Sequence, residues 1–225
     1  MPNIKEEIVK ITNGLPQGVR LVAISKFHPA NAIEEAYAAG QRIFGESHVK
    51  ELQQKMAVLP KDIEWHFIGH LQTNKVKYIA PFIKLIHAVD TIKLLQEIDK
   101  QAKRAGRIIP ILIQLHIAEE ETKFGFTIEE CRNLLTTQDW SEYPNVRVSG
   151  LMCKATNRDA MEQVRREFRT VHDFFCEMKA SCTNLTSFTE LSMGMSHDYP
   201  IAVEEGSTLI RVGSKIFGER DYSKN

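Results

Sequence analysis

The chain has 225 residues, of which 43% are hydrophobic, and it balances 29 lysine and arginine residues against 29 aspartate and glutamate residues. This apolar content can build a full core, and the absence of net charge argues against nucleic acid or an anionic membrane as a partner. The most apolar stretch, residues 108–117, is too short to cross a bilayer. The four cysteines lack metal-ligand spacing and are typical of reduced thiols. We therefore predict a cytoplasmic protein.

The first fifteen residues place Ile4, Ile8 and Ile11 at helical spacing among charged residues, which predicts an amphipathic helix and not a signal peptide. After this helix, short apolar runs alternate with amphipathic segments along the chain. Eight strands are predicted, at residues 20–26, 42–46, 64–69, 85–90, 109–117, 146–152, 188–194 and 208–214. The longest amphipathic segment between them runs from about residue 158 to residue 182.

Eight strands, each followed by a helix, are the pattern of a (β/α)8 barrel. A doubly wound open sheet is the alternative, but it more often has about five to seven strands and a glycine-rich first turn. The sequence contains neither a GxGxxG nor a Walker A pattern. Without an internal repeat or a linker, the chain is predicted to be one α/β domain over residues 1–225, a single TIM barrel with an extra amino-terminal helix.

The stretch LVAISKFHP, residues 21–29, ends the first strand with Lys26. A lysine at a strand end most often reaches water, but a barrel of this kind carries its functional residues at the carboxyl ends of the strands. The later strand ends carry Glu46, Ser47, His70, Asp90, His116 and the segments 192–196 and 211–214. Among these, Asp90 is better explained as the N-cap of the next helix.

The loops around the seventh and eighth strands contain the runs MGMS and GSTLIRVGS. These loops are the usual phosphate site of the fold, although turns and a helix cap at Ser196 explain the same residues. A lysine with a lowered pKa forms a Schiff base with an aldehyde or ketone. Both a sugar phosphate in an aldolase-like reaction and pyridoxal 5'-phosphate (PLP) fit this pair of features. Arg211 on the eighth strand faces either the phosphate or a pyridine nitrogen.

Two other features have weaker chemical meaning. His66 and His70 have the i, i+4 spacing of a helical metal pair, but they fall on a predicted strand with no third ligand nearby, so we predict no metal site. The acidic run at residues 119–122 is typical of a solvated loop, and Lys123 beside it is a weak candidate for a second functional amine.

Five blocks of the sequence resemble the pyridoxal phosphate homeostasis proteins, which are similar to the amino-terminal barrel of alanine racemase. They are VAISKFHP (22–29), FGESHVKELQQK (44–55), WHFIGHLQTNK (65–75), SGLM (149–152) and the long segment at 191–220. The resemblance covers nearly the whole chain. It implies a TIM barrel of the alanine racemase N-terminal type that holds PLP as a Schiff base on Lys26.

The resemblance also implies the other contacts with the cofactor. The family's phosphate contacts correspond to Ser192, Ser207, Thr208 and the backbone at Val212 and Gly213. Its arginine at the pyridine nitrogen corresponds to Arg211, and Ser47 and His70 complete the predicted cofactor-binding set. Two positions depart from the family pattern: Ser47 stands where asparagine is usual, and Lys154 follows SGLM where small and apolar residues are usual.

An arginine at the ring nitrogen disfavours its protonation and weakens PLP as an electron sink. Alanine racemase adds a carboxyl-terminal domain that supplies a tyrosine base, whereas this chain ends at Asn225, soon after the barrel. We therefore predict a monomer that binds PLP, buffers it and delivers it to PLP-dependent apoenzymes in vitamin B6 homeostasis, without turnover of its own. The alternative is an amino-acid racemase or another small PLP-dependent enzyme, with Lys123, His70 or Lys154 as its second base.

Overall fold

Eight parallel strands close into a barrel in the computed structural model, which describes residues 3–117, 124–156 and 160–219. Each strand pairs with the next along the chain, and the eighth pairs with the first. The strands are β1 (Arg20–Ile24), β2 (Ile43–Glu46), β3 (Glu64–Phe67), β4 (Leu85–Val89), β5 (Ile109–Leu115), β6 (Val146–Cys153), β7 (Glu190–Ser192) and β8 (Leu209–Val212). The predicted (β/α)8 barrel is confirmed, and each predicted strand overlaps an observed one.

Helices follow the strands and cover the outside of the barrel. They are α1 (Ile4–Gly14), α2 (Ala30–Ala38), α3 (Val49–Val58), α4 (Val76–Ile79), α5 (Ile92–Arg104), α6 (Ile128–Thr137), α7 (Met161–Ser181), α8 (Tyr199–Glu204) and α9 (Ser214–Phe217), with short 3-10 helices at Thr73–Lys75 and Trp140–Glu142. The first helix, α1, precedes β1 and packs against α2 and α9. The side chain of Asn3 caps its amino terminus by accepting a hydrogen bond from the backbone N–H of Glu6.

The alternation of side chains along the strands separates two hydrophobic layers. In β1, Leu21 and Ala23 pack in the outer layer toward the helices, whereas Val22 and Ile24 belong to the cluster inside the barrel. The inner cluster consists of Val22, Ile24, Ile68, Leu85, Ala88, Leu112, Met152 and Leu209, with Ile43 packed against it. Because these side chains fill the centre, a ligand can reach only the two ends of the barrel.

The glycine of the SGLM block is required by close packing of β6 against β7. Gly150 has a φ of 150°, and a Cβ built there would lie 1.8 Å from the carbonyl oxygen of Glu190. A side chain at this position would push β7 outward. Since Ser192 lies two residues after Glu190, Gly150 helps to fix where Ser192 sits.

The longest of the described helices, α7, has 21 residues and alternates buried apolar residues with charged ones. Within the described ranges, no helix combines the length and the apolar character that a membrane span requires. Three of the cysteines, Cys131, Cys153 and Cys182, are buried free thiols, and Cys176 is exposed. Burial raises the pKa of Cys131 to about 12, so this thiol is unreactive at neutral pH.

Candidate functional site

Lys26 lies in a tight turn at the carboxyl end of β1. The backbone N–H of His28 donates to the carbonyl oxygen of Ser25 at 3.1 Å, so Lys26 and Phe27 are the two central residues of the turn. Phe27 has a φ of 66°, and it is the one non-glycine residue with a positive φ in the described parts of the chain. A positive φ at the second central position is the requirement of a type II turn, which usually places glycine there. The turn beside Lys26 is therefore strained.

A buried ionic cluster lies behind this turn, between β2 and α3. The ammonium of Lys55 donates to Glu46 Oε1 at 2.8 Å, to Glu51 Oε1 at 2.7 Å and to the carbonyl oxygen of Ser25 at 2.7 Å. The hydroxyl of Ser25 donates to Glu46 Oε1 at 2.6 Å, and the N–H of Phe27 donates to Glu51 Oε1 at 2.6 Å. Burial raises the pKa of Glu46 to about 7, against the opposing effect of Lys55.

A second buried polar group lies inside the barrel on β8. Arg211 is 4% exposed, and its guanidinium donates to Ser192 Oγ at 2.6 Å and to the carbonyl oxygen of Cys153 at 2.7 Å. Desolvation lowers the pKa of Arg211, although a guanidinium keeps its charge in proteins. Among the described residues, no carboxylate oxygen lies within 4.0 Å of its nitrogens. A cation buried without an ion-pair partner is unusual, because removing its charge from water is costly.

Ser192 connects Arg211 to two buried histidines through hydrogen bonds. Its hydroxyl oxygen lies 3.0 Å from Nδ1 of His87, and Nε2 of His87 lies 2.9 Å from Nδ1 of His66. Burial lowers the pKa of His66 to about 3 and that of His87 well below its usual value, so both imidazoles are neutral. The hydroxyl of Ser192 is thus bonded to Arg211 and His87, and its contact with the phosphate stays a prediction.

The loops at the carboxyl ends of β7 and β8 meet through Gly213 and Ser196. The backbone N–H of Gly213 donates to Ser196 Oγ at 3.1 Å. A Cβ at Gly213 would lie 3.1 Å from both the Cβ and the carbonyl oxygen of Ile24, so a side chain there would crowd β1. Val212, which precedes it, is buried in the outer core layer. These contacts bring the Gly213 backbone beside the strand that leads to Lys26.

Ser207 and Thr208 lie at the other end of β8, before its first residue, Leu209. The hydroxyl of Ser207 bonds to backbone groups of Leu191, Met193 and Leu209, and the hydroxyl of Thr208 bonds to Leu191 and Glu190. Thr208 and Gly213 are five positions apart, which corresponds to roughly 16 Å along a strand. The structure does not bring Ser207 or Thr208 to the Lys26 end, and the assignment of both to the phosphate is corrected.

Ser47 and His70 lie at the carboxyl ends of β2 and β3. The hydroxyl of Ser47 is 3.2 Å from Nδ1 of His48, and a Cβ at Gly69 would lie 2.6 Å from the Cβ of Ser47. His70 Nδ1 is 2.6 Å from Oδ2 of the buried Asp90, and its ring stacks on Phe124 with centroids 4.1 Å apart. His70 thus belongs to a histidine–aspartate pair at the rim of the barrel.

Asp90 does not cap the next helix. The side chain of Thr91 is the N-cap of α5 and accepts from the N–H of Leu94, so the expectation for Asp90 is corrected. Asp and Thr are both good N-cap residues, so the residue after Asp90 could take the role expected of Asp90. Lys154 is half-buried just beyond β6, whereas Lys123 lies outside the described residues.

The sequence did not single out Glu51 or Lys55, and it offered Ser196 as a helix cap and not as a contact of Gly213. Glu51 and Lys55 are four residues apart on a predicted helix, a spacing that ordinarily indicates an exposed ion pair. Burial of Lys55 depends on the packing of α3 against β2 and on its contact with Ser25 after β1, which local spacing does not reveal.

Comparison with known proteins agrees with this barrel. The model of the alanine racemase N-terminal domain matches residues 1–221. A pyridoxal phosphate homeostasis protein of Aquifex aeolicus is 40% identical over 204 residues, which cover 90% of this chain and 88% of that protein. The human protein of the same name is 38% identical over 216 residues, covering 91% of this chain and 78% of that protein.

A solved structure is equally similar. PipY of Synechococcus elongatus PCC7942, with PLP bound, has a TM-score of 0.86 and 37% sequence identity, and the match covers 96% of this chain and 100% of that one. The family model and the relatives agree over most of the chain. The chain therefore belongs to the pyridoxal phosphate homeostasis proteins, within the family defined by the N-terminal domain of alanine racemase.

Proposed function

We propose that this chain binds PLP at the carboxyl ends of β1 and β8 and serves in vitamin B6 homeostasis. The observation that carries the proposal is the buried guanidinium of Arg211. Its two hydrogen bonds, to Ser192 and to the carbonyl oxygen of Cys153, use two of its five N–H donors. A pyridine nitrogen offers a lone pair to which another of these donors can bond. The relatives named above, and PipY with its bound PLP, support the same ligand.

The polar residues at this end of the barrel fit the three functional groups of PLP, which are its pyridine nitrogen, its aldehyde and its phosphate. When bound, PLP supplies an aldehyde that condenses with a lysine amine to a Schiff base, with loss of water. We assign Lys26 as this amine because it follows β1, and β1 lies beside Arg211: the register pairs Val22 of β1 with Arg211 of β8. For the phosphate we assign the hydroxyl of Ser196, which keeps its own proton to donate, and the Gly213 N–H orients this hydroxyl by donating to it.

We favour a function in which the protein holds and delivers PLP without turnover. A permanent cation at Arg211 opposes protonation of the ring nitrogen and so limits carbanion chemistry. The names of the relatives describe homeostasis and not a reaction. Apoenzymes as recipients of PLP, a monomeric state and a cytoplasmic location remain predictions that accompany this proposal.

An amino-acid racemase or a related PLP-dependent enzyme is the second candidate. The pair of His70 and Asp90 at the barrel rim favours it, because a carboxylate that binds Nδ1 of an imidazole orients Nε2 as a general base. The partial exposure of His70 leaves this base open to water. Turnover would require a base that acts on a substrate shielded from solvent.

The proposal is tested by mixing the full-length protein with PLP, removing free ligand by gel filtration and recording the absorption spectrum. We expect a visible band in the wild type and in Lys50→Ala, an exposed lysine of α3, and its loss in Lys26→Ala with the fold intact. Transfer of the bound PLP to an added apoenzyme, followed by that enzyme's activity, tests delivery. A wild type that retains no PLP would contradict the proposal.

A further inference from the structure

The two peptide groups that flank Lys26 are both bonded to side chains of α3. The peptide before Lys26 ends in the carbonyl oxygen of Ser25, which accepts from Lys55 Nζ at 2.7 Å. The peptide after it carries the N–H of Phe27, which donates to Glu51 Oε1 at 2.6 Å. Glu51 Oε1 also accepts from Lys55 Nζ at 2.7 Å. One ion pair, at i and i+4 on a single helix, therefore holds the backbone on both sides of Lys26.

The conformation of Phe27 explains why such a hold is needed. Its φ of 66° is unfavourable for a residue with a Cβ, and such backbone persists only where neighbouring groups enforce it. The carboxylate of Glu51 supplies a charged acceptor for the Phe27 N–H, and charged acceptors form the stronger hydrogen bonds. The ring of Phe27 also packs on that of His48, with centroids 5.0 Å apart. Both contacts come from residues at the start of α3.

Lys55 is committed entirely to this cluster. An ammonium has three N–H donors, and Ser25, Glu46 and Glu51 accept one each. The side chain is 7% exposed, so these bonds form where water does not compete for them. A surface lysine that merely stabilised a helix would not be enclosed in this way.

We propose that Glu51 and Lys55 are positioning residues for Lys26. They fix the left-handed turn at Phe27 and thereby the direction in which the Lys26 chain leaves β1, so that its amine faces the ligand at the barrel mouth. Without Glu51, the turn relaxes to an unstrained one and redirects the Lys26 side chain. The inference rests on the proposed function, in which Lys26 is the residue that reacts with PLP.

The test compares three single variants of α3 in the full chain. Glu51→Ala removes the acceptor of the Phe27 N–H, Glu51→Gln keeps an acceptor oxygen without charge, and Gln54→Ala is a control at an exposed position of the same helix. Each protein is incubated with PLP and samples are reduced with borohydride at intervals. Peptide mapping then gives the rate of labelling at Lys26 and at every other lysine, and circular dichroism melting shows that each variant is folded.

We expect Glu51→Ala to label Lys26 at least tenfold more slowly, Glu51→Gln to recover most of the wild-type rate, and Gln54→Ala to match the wild type. Labelling at exposed lysines should be equal in all four proteins. The ratio of the rate at Lys26 to the rate at exposed lysines therefore falls in Glu51→Ala alone, which a general loss of stability would not produce. A folded Glu51→Ala that labels Lys26 at the wild-type rate would overturn the positioning role. If instead the wild type itself shows no preference for Lys26, the proposed function fails and not merely this inference.

Lys55→Met provides a second route, since it removes the hold on Ser25 while leaving the Phe27 acceptor in place. We expect a slower rate at Lys26 here too, with Lys50→Met on the exposed face of α3 as its matched control. Because Lys55→Met leaves Glu46 and Glu51 without their cation, its labelling is measured at a temperature at which dichroism shows it folded. If folded Lys55→Met labels Lys26 at the wild-type rate, Lys55 is not a positioning residue.

Discussion

Arg211 and Ser192 fix the direction of a hydrogen-bond chain through the centre of the barrel. The guanidinium can only donate, so Ser192 Oγ accepts from it at 2.6 Å and directs its own proton to Nδ1 of His87. Nε2 of His87 then carries the proton and donates to Nδ1 of His66. Both imidazoles must be neutral for this arrangement, in agreement with the lowered pKa of each.

Ser192→Ala interrupts this chain at its first link. Arg211 loses an acceptor and Nδ1 of His87 loses its donor, and an unsatisfied buried group costs about 1–3 kcal/mol. We expect the free energy of unfolding, measured in urea, to fall by about that amount and the retention of PLP to weaken. Ser181→Ala, at an exposed hydroxyl of α7, is the control and should change neither quantity. Unchanged stability in Ser192→Ala would mean that the serine does not hold Arg211.

The pH dependence of stability follows from His66 and Glu46, which act in opposite directions. The folded pKa of His66, about 3, lies below the unfolded value near 6.5, so its contribution is complete above pH 6.5 and is lost as the pH falls toward 3. Between pH 7 and pH 5 this loss is about 2 kcal/mol. His87 adds to it with the same sign. The folded pKa of Glu46, about 7, lies above its unfolded value, so its contribution is complete below pH 4.5 and is lost as the pH rises through 7.

The opposing contributions of His66 and Glu46 are separated by measuring unfolding free energies in urea at pH 7, 6 and 5. His66→Asn retains an acceptor for His87 but does not titrate, so its stability should fall less on acidification than that of the wild type. Glu46→Gln removes the opposing contribution, so its stability should fall more steeply, by about 2 kcal/mol over the same range. Parallel pH profiles for all three proteins would contradict the neutral, buried state that we assign to His66.

The phosphate site is tested by comparing PLP with pyridoxal, which lacks the phosphate. Loss of a hydrogen bond to a charged acceptor costs about 1.5–3 kcal/mol, so Ser196→Ala should weaken PLP binding roughly ten- to hundredfold and leave pyridoxal binding nearly unchanged. Thr208→Val, at the amino-terminal end of β8, should not alter the ratio of the two affinities. If Thr208→Val lowered the affinity for PLP relative to pyridoxal and Ser196→Ala did not, the phosphate would have to lie at the opposite end of the barrel from Lys26.

Arg211 decides between the two candidate functions. Arg211→Glu replaces the permanent cation with a group that favours a protonated ring nitrogen, and so restores electron-sink character. We expect faster exchange of the α-proton of alanine in D2O per bound PLP, with weaker PLP affinity, than in the wild type. The wild type should not exceed the rate of free PLP. Rapid wild-type exchange that disappears in His70→Asn would favour the enzyme and assign His70 as its base.

The barrel could be predicted from the sequence because its strands are short apolar runs with a period of two, separated by helical patterns. Lys26 and Arg211 could be placed in the same way, as residues near the ends of neighbouring strands. The family resemblance directed attention to the serines of the last block, but β8 proved to begin only at Leu209. Ser207 and Thr208 therefore precede the strand and lie at its wrong end for a ligand near Lys26.

The partners of buried polar groups could not be predicted. Ser192 has a hydroxyl suited to phosphate, and only the packed barrel reveals that Arg211 and His87 engage it. The bonds of Lys55 to Ser25 and Glu46 join residues 30 and 9 positions apart, and they depend on how α3 docks against the strands. Local spacing carries no information on such contacts. The strained φ of Phe27 is equally invisible, since glycine is the residue that ordinarily indicates it.

The central claim is that Lys26 is the residue through which the protein holds PLP, and it is tested most directly by reducing the PLP-loaded protein with borohydride and mapping the modified peptide. Borohydride converts the bond between lysine and PLP to a stable secondary amine, so the modified lysine is found by mass. We predict one stoichiometric modification, on Lys26, and its loss in Lys26→Ala. Stoichiometric modification of another lysine in the wild type, or modification of Lys26→Ala to the same extent, would contradict the account.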